Sequence, residues 1–218
     1  MLITAGPTHE PIDAVRFIGN RSSGRLGIAL ADESATRGWT TTLLLGPTAL
    51  VPADSRVRLI RFRTTADLQN LLGEHFPASD VLIMAAAVAD FRPRPVTHGP
   101  ALGAGKVKRT ETGLTLDLES TPDLLAACGA SKRTDQILVG FALEPEDRLL
   151  GSAAEKLVRK RVDMIVANPL ETMESPEIRA TLLRHDGSSV TTPPSMTKQR
   201  FASWLLDEIE RVSDTGVR

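Results

Sequence analysis

The chain has 218 residues, of which 41% are hydrophobic and 24% charged, and its formal net charge is −1. That length suits one large α/β domain with a sizeable core. Near-neutral charge excludes a dedicated nucleic-acid binder, which needs clustered Lys and Arg. No apolar run approaches the roughly 20 residues that span a bilayer, and no signal peptide precedes the first strand-like residues. Neither a membrane nor export is therefore expected. The single cysteine, Cys128, excludes an internal disulfide framework and fits a reducing cytoplasm. Set in Leu-Leu-Ala-Ala-Cys-Gly, it reads as a buried structural thiol.

In chain order, Leu2–Ala5 reads as a first strand and residues 24–37 as a first helix, closed by Gly38. Between them runs the stretch 12–27, in which Asn20, Arg21, Ser22, Ser23 and Gly24 stand where strand hands over to helix. Free amides and the positive dipole end make that position an anion site, although a bare Ser-Ser-Gly also serves as a cap. Arg16, four residues before Asn20, gives the stretch the look of a substrate loop. Residues 40–45 and 57–62 read as strands, and Thr65–His75 as a helix with Leu68, Leu71 and Leu72 on one side. Residues 81–87 form a continuous apolar run, the signature of a strand buried on both faces.

Thr121-Pro122-Asp123 suits a helix start, with Thr as cap, Pro at the first position and Asp favourable to the dipole. Residues 137–142 read as a buried strand, 152–161 as a basic amphipathic helix and 163–167 as the next strand. This alternation predicts an α/β fold: a doubly wound, mostly parallel sheet with helices on both faces and ligands at the strands' C-terminal ends. Two segments depart from it. Residues 91–112, rich in Pro, Gly and basic side chains, read as a functional flap. Residues 181–184, Asp186-Gly187 and residues 189–191 read as a C-terminal β-hairpin. Residues 114–118 alternate apolar and polar, which predicts an edge strand that must be covered. Residues 198–212 read as a closing helix. One domain is expected over residues 1–213, with a frayed tail at 214–218.

Chemistry-bearing residues cluster at predicted strand ends and helix starts. In Met84-Ala-Ala-Ala-Val-Ala-Asp90 the small side chains open the backbone to a flat ligand and Asp90 offers a carboxylate; the bland alternative is a packed strand and a capping Asp. Lys106-Val-Lys-Arg109 suits a polyphosphate, or is a solvated loop. The helix start at residues 121–125 is a second phosphate cradle. Val139-Gly-Phe-Ala142 is followed by Lys156 and Lys160, four apart and on one helix face. The histidines are scattered without metal-ligand spacing, and no three-glycine dinucleotide fingerprint follows the first strand.

Together these stretches resemble the bacterial type of phosphopantothenate–cysteine ligase. The matching residues are 3–13, 15–24, 85–90, 106–108, Pro122-Asp123, 139–142, 156–160 and 163–168, in the family's order. Departures stand at Gly19, Thr121, Leu143-Glu144-Pro145 and residues 170–177. The resemblance implies a Rossmann-like ligase joining 4′-phosphopantothenate to L-cysteine through an acyl-nucleotide in coenzyme A biosynthesis. It further implies CTP in preference to ATP, Mg²⁺ bridging the phosphates, and a homodimer. No flavin is implied within this domain, and a phosphopantothenoylcysteine decarboxylase is implied as a possible separate partner.

Residue by residue, the resemblance implies a nucleotide pocket of Met84, Ala85, Ala86, Asp90, Pro122, Asp123, Leu124, Leu125 and Phe141, with Lys106, Lys156 and Lys160 on the phosphates. Arg16, Asn20, Ser22, Ser23, Gly24 and Ala87 fall on the pantothenoyl side, and Asn20 and Lys106 carry the catalysis. An NAD(P)-dependent oxidoreductase and a non-catalytic nucleotide-binding module are the rival readings of the same fold.

Overall fold

In the computed structural model, which describes residues 1–94, 105–106, 108, 113–172 and 175–215, β1 (Leu2–Ala5) is the buried strand that the rest of the sheet flanks. There follow β2 (His9–Pro11), β3 (Phe17–Gly19), α1 (Arg25–Thr36), β4 (Thr42–Leu45), β5 (Arg58–Arg61), α2 (Thr65–His75) and β6 (Val81–Met84). Next come β7 (Phe91–Pro93), β8 (Leu118–Ser120), α3 (Leu124–Ser131), β9 (Ile137–Glu144), α4 (Leu149–Arg159) and β10 (Met164–Pro169). The chain continues through β11 (Glu177–Ile178), β12 (Thr181–Arg184), β13 (Ser189–Thr191), β14 (Met196–Thr197) and α5 (Lys198–Thr215).

The main sheet has eight strands in the order β13-β12-β10-β9-β6-β1-β4-β5. Strands β5 to β10 of that order run parallel, and the hairpin β12–β13 adds an antiparallel edge. The central strands are apolar without alternation because both faces are covered: Ile3, Leu44, Ile83 and Leu138 have no exposed surface. α1 and α5 cover one face through Leu30, Phe201 and Leu205. α2, α3 and α4 cover the other through Leu68, Leu124, Cys128 and Leu157. Burial pushes the Cys128 thiol up to about 11, consistent with the structural role expected of it. Among the described residues no helix is long and apolar enough to cross a membrane.

The chain moves from β1 outward to β4 and β5, then returns to β6 on the other side of β1. A crevice opens where the order reverses, at the C-terminal ends of β1 and β6. Gly27 seats α1 against that edge. A Cβ there would lie 2.3 Å from Ala5 Cβ, so the helix reaches β1 only because no side chain intervenes.

Several expected boundaries move. The strand expected over 81–87 stops at Met84, since the backbone beyond it leaves the β6 ladder. α4 starts at Leu149 rather than 152, on an N-cap, Arg148, that makes no side-chain cap bond, and it ends at Arg159 because Arg161 turns left-handed (φ 52). The helix at 121–125 is capped by Asp123, not Thr121, whose hydroxyl donates to Ala89 O at 2.5 Å. The edge strand expected at 114–118 is not formed. Only Leu118 is in a strand, and β8 pairs antiparallel with β7 in a separate ribbon rather than with the main sheet. α5 runs to Thr215, beyond the expected end at 212; residues 216–218 of the expected tail lie outside the described residues. So does most of the expected flap, residues 95–104, 107 and 109–112.

Two glycine substitutions separate packing from helix propensity. Gly27→Ala is expected to lower stability by about 1–3 kcal/mol through overpacking against Ala5. Gly151→Ala, in α4 with nothing within 4 Å of its Cβ, should raise stability by up to about 1 kcal/mol. Urea unfolding midpoints of both variants check the pair of signs.

Candidate functional site

Beyond β6 the backbone runs through Ala85-Ala86-Ala87-Val88-Ala89 as a ribbon tied to the continuation of β1. Ala85 N–H donates to Thr4 O at 3.1 Å and Ala87 N–H to Gly6 O at 2.9 Å. Between them Ala86 N–H reaches the Thr4 hydroxyl at 3.2 Å. Further on, Thr8 N–H donates to Ala87 O, and Ala89 N–H donates to the Thr8 hydroxyl at 2.9 Å. Thr4 and Thr8 are wholly buried, so their hydroxyls supply acceptors that β-ladder carbonyls no longer provide.

A cavity lies on each side of this ribbon. The larger, about 770 Å³, is lined by Asn20, residues 22–27, Ala85, Ala87 and Lys156, among others. Gly24 caps α1 in the left-handed region (φ 74), a conformation that disfavours residues with a Cβ. Among the described residues no side chain makes a cap bond to this helix, so its first N–H groups face the cavity. Asn20 is anchored to the ribbon: its Nδ2 donates to Val88 O at 2.9 Å, which leaves a second N–H on that amide.

The smaller cavity, about 250 Å³, is lined by Met84, Asp90, residues 121–125 and Lys160. Asp123 accepts Ala126 N–H at 3.1 Å and lies 3.1 Å from Lys160 Nζ. Burial pushes the Asp123 carboxyl up, but the Ala126 N–H and the Lys160 ammonium outweigh it and hold it below the usual carboxylate range. The α3 start is thus filled from within by a carboxylate, which makes Lys160 rather than the helix amides the cation of this cavity. Ala86, Val88 and Phe141 line both cavities, so the two share one thin wall.

Most sequence-predicted residues gather here, in two groups. Met84, Ala86, Asp90, Pro122, Asp123, Leu124, Leu125, Phe141 and Lys160 border the smaller cavity; Asn20, Ser22, Ser23, Gly24 and Ala87 border the larger. Four depart. Ala85 lines the larger cavity rather than the smaller. Lys156 also lines the larger one, apart from Lys160 on the smaller, although Lys160 is the C-cap of α4 and its N–H donates to Lys156 O at 3.0 Å. Arg16 lines neither cavity; it is held at 2.5–3.0 Å by Asp13, whose side chain is fully buried. Lys106 is exposed and borders neither cavity, although Gly105 beside it accepts Ala14 N–H at 3.4 Å.

Sequence reasoning missed Asn168 at the end of β10, Thr172, which accepts from Asn168 Nδ2 at 2.9 Å, and Lys198 at the start of α5. The rule that ligands gather at strand C-termini was a signal for Asn168. Nothing in the local pattern marked Lys198. Among the described residues no group of three or more His, Cys, Asp or Glu side chains is placed to hold a metal ion. The carboxylates of the smaller cavity are Asp90, which is exposed, and Asp123, which is engaged.

A family model described as the DNA/pantothenate metabolism flavoprotein C-terminal domain matches residues 1–212. A cysteine/cysteine sulfinic acid decarboxylase from an unknown prokaryotic organism is 45% identical over 171 residues, 78% of this chain and 46% of that protein. The coenzyme A biosynthesis bifunctional protein CoaBC of Bacillus subtilis (strain 168) is 40% identical over 223 residues, 100% of this chain and 53% of that protein. The crystal structure of the C-terminal domain of a CoaBC protein superposes with a TM-score of 0.80 at 35% identity, covering 98% of this chain and 95% of that one. The chain spans about half the length of the curated relatives it matches. It belongs to the DNA/pantothenate metabolism flavoprotein C-terminal domain family.

Proposed function

We propose that this chain joins 4′-phosphopantothenate to L-cysteine through an acyl-nucleotide, the ligase step of coenzyme A biosynthesis, with CTP as the nucleotide. The observation that carries the reading is the pair of cavities divided by one wall of Ala86, Val88 and Phe141. A reaction that first couples a carboxylic acid to a nucleotide needs two binding spaces meeting at one reacting centre. The acid belongs on the Asn20 side, where the uncapped start of α1 suits an anion. The nucleotide belongs on the Asp90 side, with Lys160 toward its phosphates.

In the first half, a carboxylate oxygen attacks the α-phosphorus, and the bond to the β-phosphate breaks to release pyrophosphate. In the second, the cysteine amine attacks the acyl carbon and loses its proton, and the carbon–oxygen bond breaks to release CMP. The protein contributes placement and charge stabilisation. Mg²⁺ would neutralise phosphate charge; with Asp123 engaged, Asp90 is the side chain that fits it, in a site completed by the phosphates themselves. On this reading the Asn20 amide, whose Nδ2 bonds Val88 O, serves the acyl oxygen, and Lys106 serves the phosphates.

The minimal assay mixes the protein with CTP, phosphopantothenate and cysteine and follows pyrophosphate; no release would overturn the reading. Nucleotide choice is read from thermal shifts. With Mg²⁺, CTP should raise the melting temperature more than equimolar ATP, since a ligand of the native state stabilises it. An equal or larger shift with ATP would remove the CTP assignment alone.

The catalytic pair is tested by separating the half-reactions. Asn20→Asp exchanges an N–H donor for a carboxylate oxygen facing Val88 O, and losing one such donor costs on the order of 3 kcal/mol in the transition state. That variant should still release pyrophosphate but make little amide, whereas Lys106→Gln should release little pyrophosphate with or without cysteine. The reverse pattern would mean the roles are misassigned.

The proposed homodimer draws support from exposed apolar side chains on the β2–β3 and β7–β8 ribbons. Val15, Phe17, Phe91 and Leu118 are 61%, 45%, 54% and 39% exposed, and such patches mark association surfaces. Light scattering at micromolar concentration should give a dimer, and Phe91→Asp should shift it toward monomer.

A further inference from the structure

The loop that runs from Asn20 to Gly24 along the larger cavity is fastened from behind. These residues have no regular structure, and among the described residues two hydrogen bonds tie them to the rest of the fold ahead of α1. On one side Asn20 Nδ2 reaches Val88 O at 2.9 Å. On the other the Thr48 hydroxyl, just past the end of β4, donates to Ser23 O at 3.1 Å. Three bare backbones bring these parts together. A Cβ on Gly24 would lie 3.5 Å from Gly6 Cα, and one on Gly6 would lie 3.2 Å from Gly46 N. Thr48 is itself fixed, because Arg61 donates to the carbonyls of Gly46, Thr48 and Leu50 at 3.2–3.4 Å.

We propose that Thr48 is a positioning residue for the acid substrate: it holds the Ser23–Gly24 peptide with its carbonyl turned away from the larger cavity and its N–H turned toward it. The inference rests on the ligase reading, which puts the acid in that cavity. A peptide unit is planar and trans, so its C=O and N–H point to opposite edges. Ser23 O is held by Thr48, which does not border the cavity. The Gly24 N–H therefore falls on the edge of Ser22, which does border it, and reaches Ser22 Oγ at 3.4 Å. The backbone alone does not choose this orientation. Rotating the peptide by half a turn takes Gly24 from φ 74 to a negative φ, and glycine adopts either sign with similar ease. The rotated plane would present a carbonyl oxygen to an anion, whereas successive backbone N–H groups make an anion-binding concavity. Thr48 supplies the preference that glycine lacks. Its hydroxyl accepts Leu50 N–H at 3.2 Å, which leaves its single proton for Ser23 O.

The test compares the wild-type protein with Thr48→Val and Thr48→Ala, which remove the hydroxyl with and without its shape, and with Thr48→Ser, which keeps it. Pyrophosphate release is followed while 4′-phosphopantothenate, CTP and cysteine are varied in turn, and melting temperatures are recorded alongside. Thr48 and Ser23 are only half-buried, so all three variants should fold. Thr48→Val and Thr48→Ala should raise KM for the acid by about threefold to tenfold, the range that one neutral hydrogen bond supports. Their kcat and their KM for CTP and cysteine should change by less than about twofold, since that bond touches neither co-substrate. Thr48→Ser should return KM for the acid to the wild-type range.

Equal rises in KM for the acid and for CTP, or a fall in kcat with KM for the acid unchanged, would reduce Thr48 to a structural tie and overturn the proposal. So would a Thr48→Ser variant as impaired as Thr48→Val. A wild-type protein that releases no pyrophosphate from CTP and phosphopantothenate would instead refute the ligase reading itself, an outcome distinct from the others.

Discussion

Two buried hydroxyls hold the site together. Where β6 ends, the chain leaves the ladder and passes through the molecule as Ala85–Ala89, and its N–H groups still need acceptors. Thr4 and Thr8, both without exposed surface, accept from Ala86 and Ala89, while Thr4 O and Gly6 O take Ala85 and Ala87. A buried N–H left without an acceptor costs about 1–3 kcal/mol, so an apolar residue at either threonine would destabilise the ribbon rather than merely alter it. Alanine side chains keep that ribbon thin, and its thinness lets one segment border two cavities. Asn20 then uses the ribbon as its own anchor through Val88 O.

The helix starts on the two sides of the ribbon are treated differently. α1 begins at a left-handed glycine with no side-chain cap bond among the described residues, so its dipole and amides face the larger cavity. α3 begins at Asp123, which satisfies Ala126 N–H and pairs with Lys160. One start therefore offers backbone amides to an incoming anion, and the other offers a lysine already balanced by a carboxylate. The lysine also closes the span between α4 and α3, because it follows the last turn of α4 and reaches the cap of its neighbour.

The parts of this arrangement legible in the sequence are those governed by local rules. Strands buried on both faces announce themselves as unbroken apolar runs, so β1, β4, β6, β9 and β10 were expected close to where they lie, and the capping box at Thr64 and Asp67 explains why α2 begins at the expected residue. Rules failed where partners decide. Residues 85–87 continue the apolar run of β6, yet their bonding partners are Thr4 and Gly6, distant in sequence. Lys156 and Lys160 keep their helical spacing, with Lys160 as the C-cap bonded to Lys156 O, yet they line different cavities, which their spacing does not reveal. Nothing in the sequence reveals that Asp13 is buried beneath Arg16 with its carboxylate turned to the guanidinium. Lys198 reaches the site only because α5 packs back against α1, a long-range contact without a local sign.

The shared wall also constrains the order of events on the ligase reading. A nucleotide in the smaller cavity has Phe141 and the Ala86–Val88 ribbon between its base and the space around Asn20, so acid and nucleotide meet only at the ribbon's edge. Once the acyl-nucleotide forms there, the smaller cavity, only about 250 Å³, remains filled by the nucleotide portion. The larger cavity has room to spare: about 770 Å³ exceeds what an extended acid chain along the ribbon requires. On that reading the second nucleophile enters through the larger cavity. The shared wall of Ala86, Val88 and Phe141 thus gives each substrate its own approach on that reading, with the reacting centre at the wall's edge.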